Sequence, residues 1–145
     1  MLTPSLEDYL EEIYRFSQEL GYIRITDVAD KLNVSLPSVN KAVKVLSKKG
    51  YLVYIPYKNI GLTEKGARLG EFLVKRNQML QEFLKVIGSK VDREKEAEAM
   101  EHYLSRETVD AMAMVVGFFN ENPGLQDKLY EFQQEYRKNQ PALEQ

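Results

Sequence analysis

Glu98, Glu101 and His102 are the residues whose types and spacing most clearly allow chemistry. They lie in the segment "EAEAMEHYLS", residues 96–105, and His102 is the only histidine of the chain. In an α-helix, positions i, i+3 and i+4 share one face, so two carboxylates and one imidazole can converge on one point and bind a metal ion. The same spacing also occurs on solvated acidic helices, where His102 would pair with Glu98 one turn earlier. This segment alone is compatible with both interpretations.

A second acidic pair lies near the start of the chain. Asp8 and Glu11 occur in "LEDYLEEIY" at i and i+3, on the flank of an apolar stripe where a helix can contact another element. This pair could join Glu98, Glu101 and His102 if the fold brings the two segments together. Carboxylates that hold two metal ions also serve hydrolytic enzymes, but no separate nucleophile or general base accompanies them, so we expect no enzymatic activity.

The composition restricts the class of protein. A chain of 145 residues can form one ordinary domain or two small ones. It has no cysteine, which excludes disulfides, thiolate zinc sites and cysteine nucleophiles and fits a reducing compartment. Because the sequence has no signal-peptide pattern and no apolar run of roughly 20 residues, we expect a cytoplasmic protein with no membrane partner.

The first half of the chain has the signals of a winged helix-turn-helix. Thr3 predicts the start of the first helix, and Thr26 and Ser35 predict caps for the second and third. Two β-prone runs, residues 51–55 and 60–62, flank "PYKN" and predict a hairpin. The order of helix, helix, turn, helix and hairpin is that of a winged helix-turn-helix.

The second half is predicted to be helical throughout. Thr63 predicts the start of a long helix that reaches about Ile87, and further helices are predicted over about 92–104, 106–120 and 123–138. We therefore expect a mainly α protein.

Two domains are predicted from these elements. Residues 1–63 form an N-terminal winged helix-turn-helix DNA-binding domain with a small β-hairpin wing, and residues 64–145 form an all-helical metal-binding and dimerisation domain. The apolar face of "TVDAMAMVVGFF" is too large for the few neighbouring helices to cover, so we expect a homodimer that buries part of it. Its members are Val109, Met112, Ala113, Val116 and Phe119.

The distribution of charge favours a DNA-binding surface. The stretch from Ser35 to Lys75 has eight Lys or Arg residues and two acidic residues, although the whole chain has a net charge of −2. A local basic surface in an acidic protein is expected where the protein contacts phosphate. The alternative is a solvated basic helix in a winged-helix module that binds only protein.

The third helix and the wing provide the candidate DNA-binding residues. In a helix-turn-helix the third helix enters the major groove, so its polar face should contact base edges and phosphates, while the wing reaches the backbone or the minor groove. The expected partner is a pseudo-palindromic operator in double-stranded DNA, and no small organic ligand is expected. The candidates are Ser35, Ser38, Asn40, Lys41, Lys44, Lys48, Tyr54, Tyr57 and Lys58.

Four segments of the chain carry a resemblance to a known family. They are "TPSLEDYLEEIY", "VADKLNVSLPSVNKAVKVLSKKGYLVY", "LTEKGARLG" and "EAMEHYLS". In these segments the sequence resembles the diphtheria toxin repressor family of metal-dependent regulators, and most of all its short members, the manganese transport regulators. The resemblance extends over nearly the whole chain.

The resemblance implies a paired metal site between the two domains. Asp8 and Glu11 match the ligands of the first helix, with Glu11 as a bridge, and the residues of the later helix that match ligands are Glu98, Glu101 and His102. The remaining ligand of the family is usually a histidine, but this position is Asn77 here. A neutral amide oxygen is a weaker ligand than imidazole, so the site that uses Asn77 should be weakened.

The implied cofactor is Mn²⁺, with Fe²⁺ or another divalent cation as alternatives, and one or two ions per subunit. A set of carboxylates with one imidazole and no thiolate suits Mn²⁺ better than it suits zinc or copper. The implied function is that of a metal-responsive repressor that controls metal-ion uptake and homeostasis. The alternative is a metal-independent winged-helix regulator whose metal site is degenerate, because Asn77 replaces the usual histidine.

Overall fold

The computed structural model describes residues 1–54 and 59–141, which form two compact units, Met1–Lys75 and Arg76–Gln145. The helices and strands of the described residues, in chain order, are α1 (Pro4–Leu20), α2 (Ile25–Leu32), α3 (Leu36–Lys48), β1 (Leu52–Val53), β2 (Gly61–Leu62), α4 (Glu64–Val86), α5 (Arg93–Met100), a 3₁₀ turn (Glu101–Tyr103), α6 (Arg106–Glu121) and α7 (Leu125–Lys138). The prediction of a mainly α protein with a winged helix-turn-helix is confirmed. None of the described helices is both long and apolar enough to cross a bilayer.

The helices of the first unit begin largely where their caps were predicted. The Thr3 side chain accepts a hydrogen bond from the Leu6 amide at 3.3 Å, and Ser35 does the same for the Ser38 amide at 3.3 Å. The predicted cap of α2 is wrong, because this helix already begins at Ile25 and Thr26 lies inside it. Ile25 packs against the core of the unit, and we attribute the earlier start to this apolar contact.

One apolar core joins the three N-terminal helices to the wing. α3 contributes Val39, Ala42, Val43 and Leu46, and each of these residues is no more than 5% exposed. With this face buried, the polar residues of α3 are left on the outside. The buried members of the core are Tyr9, Leu10, Ile13, Ile23, Val28, Ala29, Val39, Ala42, Val43, Leu46, Leu52, Ile60 and Leu73.

The wing is a short antiparallel ladder in which Leu52 pairs with Leu62 and Val53 with Gly61. The predicted turn is "PYKN", residues 56–59, and its first three residues lie outside the described residues, as does residue 55. Directly after the ladder, the Thr63 hydroxyl donates to the Gly50 carbonyl at 2.6 Å and accepts from the Gly66 amide at 3.0 Å. Thr63 therefore caps α4 as predicted and also fixes its start to the end of α3.

The second unit departs from the prediction at two places. The helix predicted over residues 92–104 ends at Met100 and continues as the 3₁₀ turn, because Leu104 and the cap residue Ser105 must be extended for α6 to begin. α7 begins after Gly124, whose φ is 98°, rather than at Pro123. These differences matter for the site, since the 3₁₀ turn contains Glu101.

Two glutamine amides attach α7 to the end of α4. Gln126 Nε2 donates to the Val86 carbonyl and Gln133 Nε2 donates to the Ile87 carbonyl, both at 2.6 Å. The last carbonyls of a helix have no partner within the helix, so these amides satisfy groups that otherwise need water. Gly88 ends α4 with φ 73°.

The substitution Gly66→Ala is expected to destabilise the protein by about 2 kcal/mol or more, since overpacked sites cost about 1–3 kcal/mol and backbone cannot move aside as a side chain can. A Cβ at Gly66 would overlap the Tyr51 carbonyl oxygen. The measurement is thermal unfolding followed by circular dichroism. Gly117→Ala in α6 is the control, because its Cβ would meet no atom of the described residues within 4 Å. Equal melting temperatures for Gly66→Ala and the native chain would contradict this packing.

Candidate functional site

α3 presents a basic face on the side opposite to its buried residues. Ser38, Lys41, Lys44 and Lys48 are exposed, and Asn40 is half-buried. The amide of Asn40 and the ammonium of Lys41 have the donors that base-edge acceptors require, whereas the two later lysines suit phosphates. The structure therefore brings the predicted polar residues of α3 together on one surface.

Ser35 has a structural role that limits its use in DNA contact. Its oxygen accepts from the Ser38 amide, and the two hydroxyl oxygens lie 2.8 Å apart. An N-cap of this kind stabilises a helix by about 0.5–2 kcal/mol. A contact between Ser35 and a base would compete with this capping.

In the wing, Tyr54 is the predicted contact residue that lies within the described part of the chain. Tyr54 is half-buried and packs against the core of the first unit, so only part of its ring can contact a partner. The other two predicted wing residues, Tyr57 and Lys58, lie outside the described residues.

The sequence analysis overlooked two apolar residues beside the basic face. Leu36, in the first turn of α3, is 46% exposed, and Val34 just before the helix is 37% exposed. Apolar side chains at such positions can contact the methyl groups of thymine. Periodicity assigns apolar residues to the core, so only their position at a helix start could have indicated this role.

Asp8 and Glu11 lie one turn apart on α1, Asp8 half-buried and Glu11 buried. Arg15 Nη2 donates to Glu11 Oε1 at 2.8 Å, which compensates the burial of the carboxylate. Burial also raises the pKa of the neighbouring Glu12 above its ordinary value, although Arg15 and Lys31 act in the opposite direction. The outer flank of the apolar stripe of α1 thus carries carboxylates in partly desolvated surroundings.

In the second unit, Glu101 is the most deeply buried acidic group of the described residues, with 1% exposure. Asn77 Nδ2 donates to Glu101 Oε2 at 3.1 Å, and His102 Nε2 lies 3.6 Å from Glu101 Oε1. Arg76 Nη2 lies 3.5 Å from the other ring nitrogen of His102.

Glu98 differs from Glu101 in its surroundings. It lies in α5 and is exposed, whereas Glu101 and His102 belong to the 3₁₀ turn. The single-helix geometry predicted for these three residues is therefore wrong. Their assignment as metal ligands stays a prediction.

Gln81 and Arg76 are polar neighbours of this cluster that the sequence analysis did not identify. Gln81 Nε2 donates to Asn77 Oδ1 at 2.8 Å, and Arg76 is buried beside His102. The spacing of four residues between Asn77 and Gln81 on one helix is the signal that could have indicated their pairing.

The comparisons with known proteins divide the chain in the same order as these features. Residues 1–60 match the model of the iron-dependent repressor N-terminal DNA-binding domain, and residues 63–130 match the model of the iron-dependent repressor metal-binding and dimerisation domain. The HTH-type transcriptional regulator MntR of Lysinibacillus sphaericus (strain C3-41) is 44% identical over 132 residues, which are 89% of this chain and 94% of that protein. The chain belongs to the iron-dependent repressor family.

Other relatives agree with this membership. The regulator of the same name from Bacillus subtilis (strain 168) is 43% identical over 125 residues, 84% of this chain and 87% of that protein. Among solved structures, that of the manganese regulator SloR matches with a TM-score of 0.69 and 29% identity, over 81% of this chain and 55% of SloR. The chain thus spans about half the length of this solved structure.

Membership of the iron-dependent repressor family assigns the two sets of residues to separate regions. The basic face of α3 lies in the region that matches the DNA-binding model, and Asn77, Glu98, Glu101 and His102 lie in the region that matches the metal-binding and dimerisation model. As a member of a family of transcriptional regulators, the chain is not an enzyme.

We expect Lys44→Ala to weaken binding to duplex DNA of any sequence, and we expect the same of Lys48→Ala. Because each substitution removes one phosphate contact, the slope of the logarithm of the binding constant against the logarithm of the salt concentration should become less steep by about 1. The measurement is fluorescence anisotropy of a labelled duplex over a salt series. Lys128→Ala in α7 is the control, since this exposed lysine lies in the other unit. An affinity that is independent of salt would contradict the role of the basic face.

Proposed function

We propose that this protein is a homodimeric, manganese-responsive repressor that binds an operator in double-stranded DNA and controls metal-ion uptake. The observation that carries the proposal is the combination of a basic α3 face in the DNA-binding region with the juxtaposed Glu101 and His102 in the metal-binding region. A DNA-binding regulator acts where the bacterial chromosome is, so we place it in the cytoplasm.

The cation would be held by side chains from both ends of the chain. The donor set fits a hard or borderline divalent ion, because it consists of carboxylates and one imidazole and the sequence has no thiolate. This composition and the likeness to the solved structure of the manganese regulator SloR support Mn²⁺, with Fe²⁺ as an alternative. The proposed ligands are Asp8 and Glu11 in α1, Glu98 in α5, and Glu101 and His102 in the 3₁₀ turn.

The proposed response follows from electrostatics. A bound divalent cation supplies positive charge that removes the mutual repulsion of clustered carboxylates. Asp8 and Glu11 would then hold α1 in one position, and α1 shares its core with α3. Such an ion favours DNA binding only to the extent that it binds the DNA-competent arrangement more tightly than the others.

The dimer would use the exposed apolar residues of α6. Val109 and Val116 are buried within the subunit, and Met112 packs on the small cluster of Leu80, Leu84 and Ala97. On a different side of the same helix, Met114 is 69% exposed and Phe118 is 58% exposed. These two residues are one turn apart, so they form a continuous apolar surface that a second copy can cover.

A two-fold dimer presents two α3 helices to the DNA. Such helices fit half-sites about one helical turn apart, centre to centre, and a two-fold protein favours a pseudo-palindromic operator. The two basic faces together make the affinity strongly dependent on salt.

Glu98→Gln is expected to lower the apparent affinity for Mn²⁺ at least tenfold, since even groups that merely orient metal ligands contribute about 10–100-fold to metal affinity. The measurement is isothermal titration calorimetry, followed by operator binding with and without Mn²⁺. Glu94→Gln is the matched control, because Glu94 is exposed one turn earlier on the same helix. The proposal fails if operator affinity of the native protein is indifferent to Mn²⁺ and to other divalent ions.

Phe118→Glu is expected to convert the dimer into a monomer at micromolar concentration, because a carboxylate in the centre of an apolar interface is desolvated without a partner. Analytical ultracentrifugation measures the change. Tyr103→Glu is the control, since Tyr103 is an aromatic residue with 80% exposure that lies outside α6. A dimer that persists in Phe118→Glu would show that the interface lies elsewhere.

A further inference from the structure

The amide of Asn77 has a defined orientation. Its nitrogen, Nδ2, donates to Glu101 Oε2 at 3.1 Å, and its oxygen, Oδ1, accepts from Gln81 Nε2 at 2.8 Å. Asn77 is buried, with 8% exposure. Both ends of the amide are therefore engaged with other side chains of the second unit.

These two hydrogen bonds establish which end of the Asn77 amide is the nitrogen and which is the oxygen. If the amide were turned round, Oδ1 would face the carboxylate oxygen of Glu101, and two acceptors would oppose each other. In the present orientation, the amide nitrogen donates to the buried carboxylate instead. Glu101 thus determines which end of the Asn77 amide faces it.

We infer that Asn77 is a positioning residue rather than a metal ligand, and that the protein binds one divalent cation per subunit. This inference rests on the proposed metal-responsive function. An amide nitrogen that carries two hydrogens cannot bind a cation, and in this protein it is the nitrogen that faces the acidic group. Gln81 holds the amide in this orientation by donating to its oxygen.

Asn77 donates its hydrogen bond to one of the two carboxylate oxygens of Glu101, and the other oxygen lies nearer to His102. Asn77 occupies Oε2, whereas Oε1 lies 3.6 Å from Nε2 of His102. Adjacent ligands at about 2.1 Å from an octahedral ion are about 3 Å apart, so Oε1 and Nε2 need to approach only slightly to share one ion. Asn77 thereby holds Glu101 ready for the cation that Glu101 and His102 would share.

The count of bound ions tests the inference. Native mass spectrometry of the full chain saturated with Mn²⁺ is expected to give one ion per subunit for the native protein. Asn77→His is expected to give two, because it adds an imidazole ligand at this position. Two ions in the native protein, reduced to one in Asn77→Ala, would overturn the inference and make Asn77 a ligand.

The affinity of the remaining ion tests the positioning role. Asn77→Ala is expected to keep one ion but to bind it about 10–100-fold more weakly, which is the usual effect of losing a group that orients a ligand. Gln78→Ala is the matched control, because Gln78 is the next residue of the same helix and is exposed. An unchanged affinity in Asn77→Ala would overturn the positioning role.

A measurement on the native, metal-free protein needs no substitution at Asn77. Its side-chain amide protons are expected to exchange slowly with solvent in nuclear magnetic resonance spectra, and Gln81→Leu is expected to accelerate this exchange. Fast exchange in the native protein would overturn the inference. Failure of the proposed function has a different signature, in which one ion binds but operator affinity does not respond to it.

Discussion

Burial of the Glu101 carboxylate is the constraint on which the polar arrangement of the second unit depends. A carboxylate removed from water costs several kcal/mol unless hydrogen bonds or opposite charges compensate it. The two acidic residues at the end of α5 differ in this respect, since Glu98 is exposed whereas Glu101, in the 3₁₀ turn that follows, is among the most buried of the described residues. Asn77 supplies a donor for the carboxylate, and Gln81 in turn donates to the oxygen of the Asn77 amide.

Much of the fold could be predicted because its signals are local. A serine or threonine cap followed by an apolar stripe specifies both the start of a helix and its buried face. Ser35 and the buried face of α3 illustrate this, and so does Thr63, which caps α4 after the wing. The basic surface could be predicted for the same reason, since burial of one face of α3 leaves its lysines on the other.

The parts that could not be predicted depend on tertiary contacts. Thr26 is a good capping residue, but the packing of Ile25 starts α2 earlier. The interruption of the helix after Met100 follows from the extended residues that α6 requires before it, which no periodicity in α5 reveals. Likewise, the family resemblance predicts a metal ligand at position 77, where this chain has asparagine, but the sequence does not reveal which polar atom of Asn77 faces Glu101.

The shared core of α1 and α3 has a consequence for how such regulators diverge. Leu10 and Ile13 of α1 pack in the same cluster as Val39 and Val43 of α3, while Lys41, Lys44 and Lys48 lie on the exposed side of α3. Mutations at exposed positions of α3 can therefore change which promoters are recognised and leave the buried contacts to α1 intact. Gene duplication could thus produce regulators that control new sets of genes and still respond to the same metal ion.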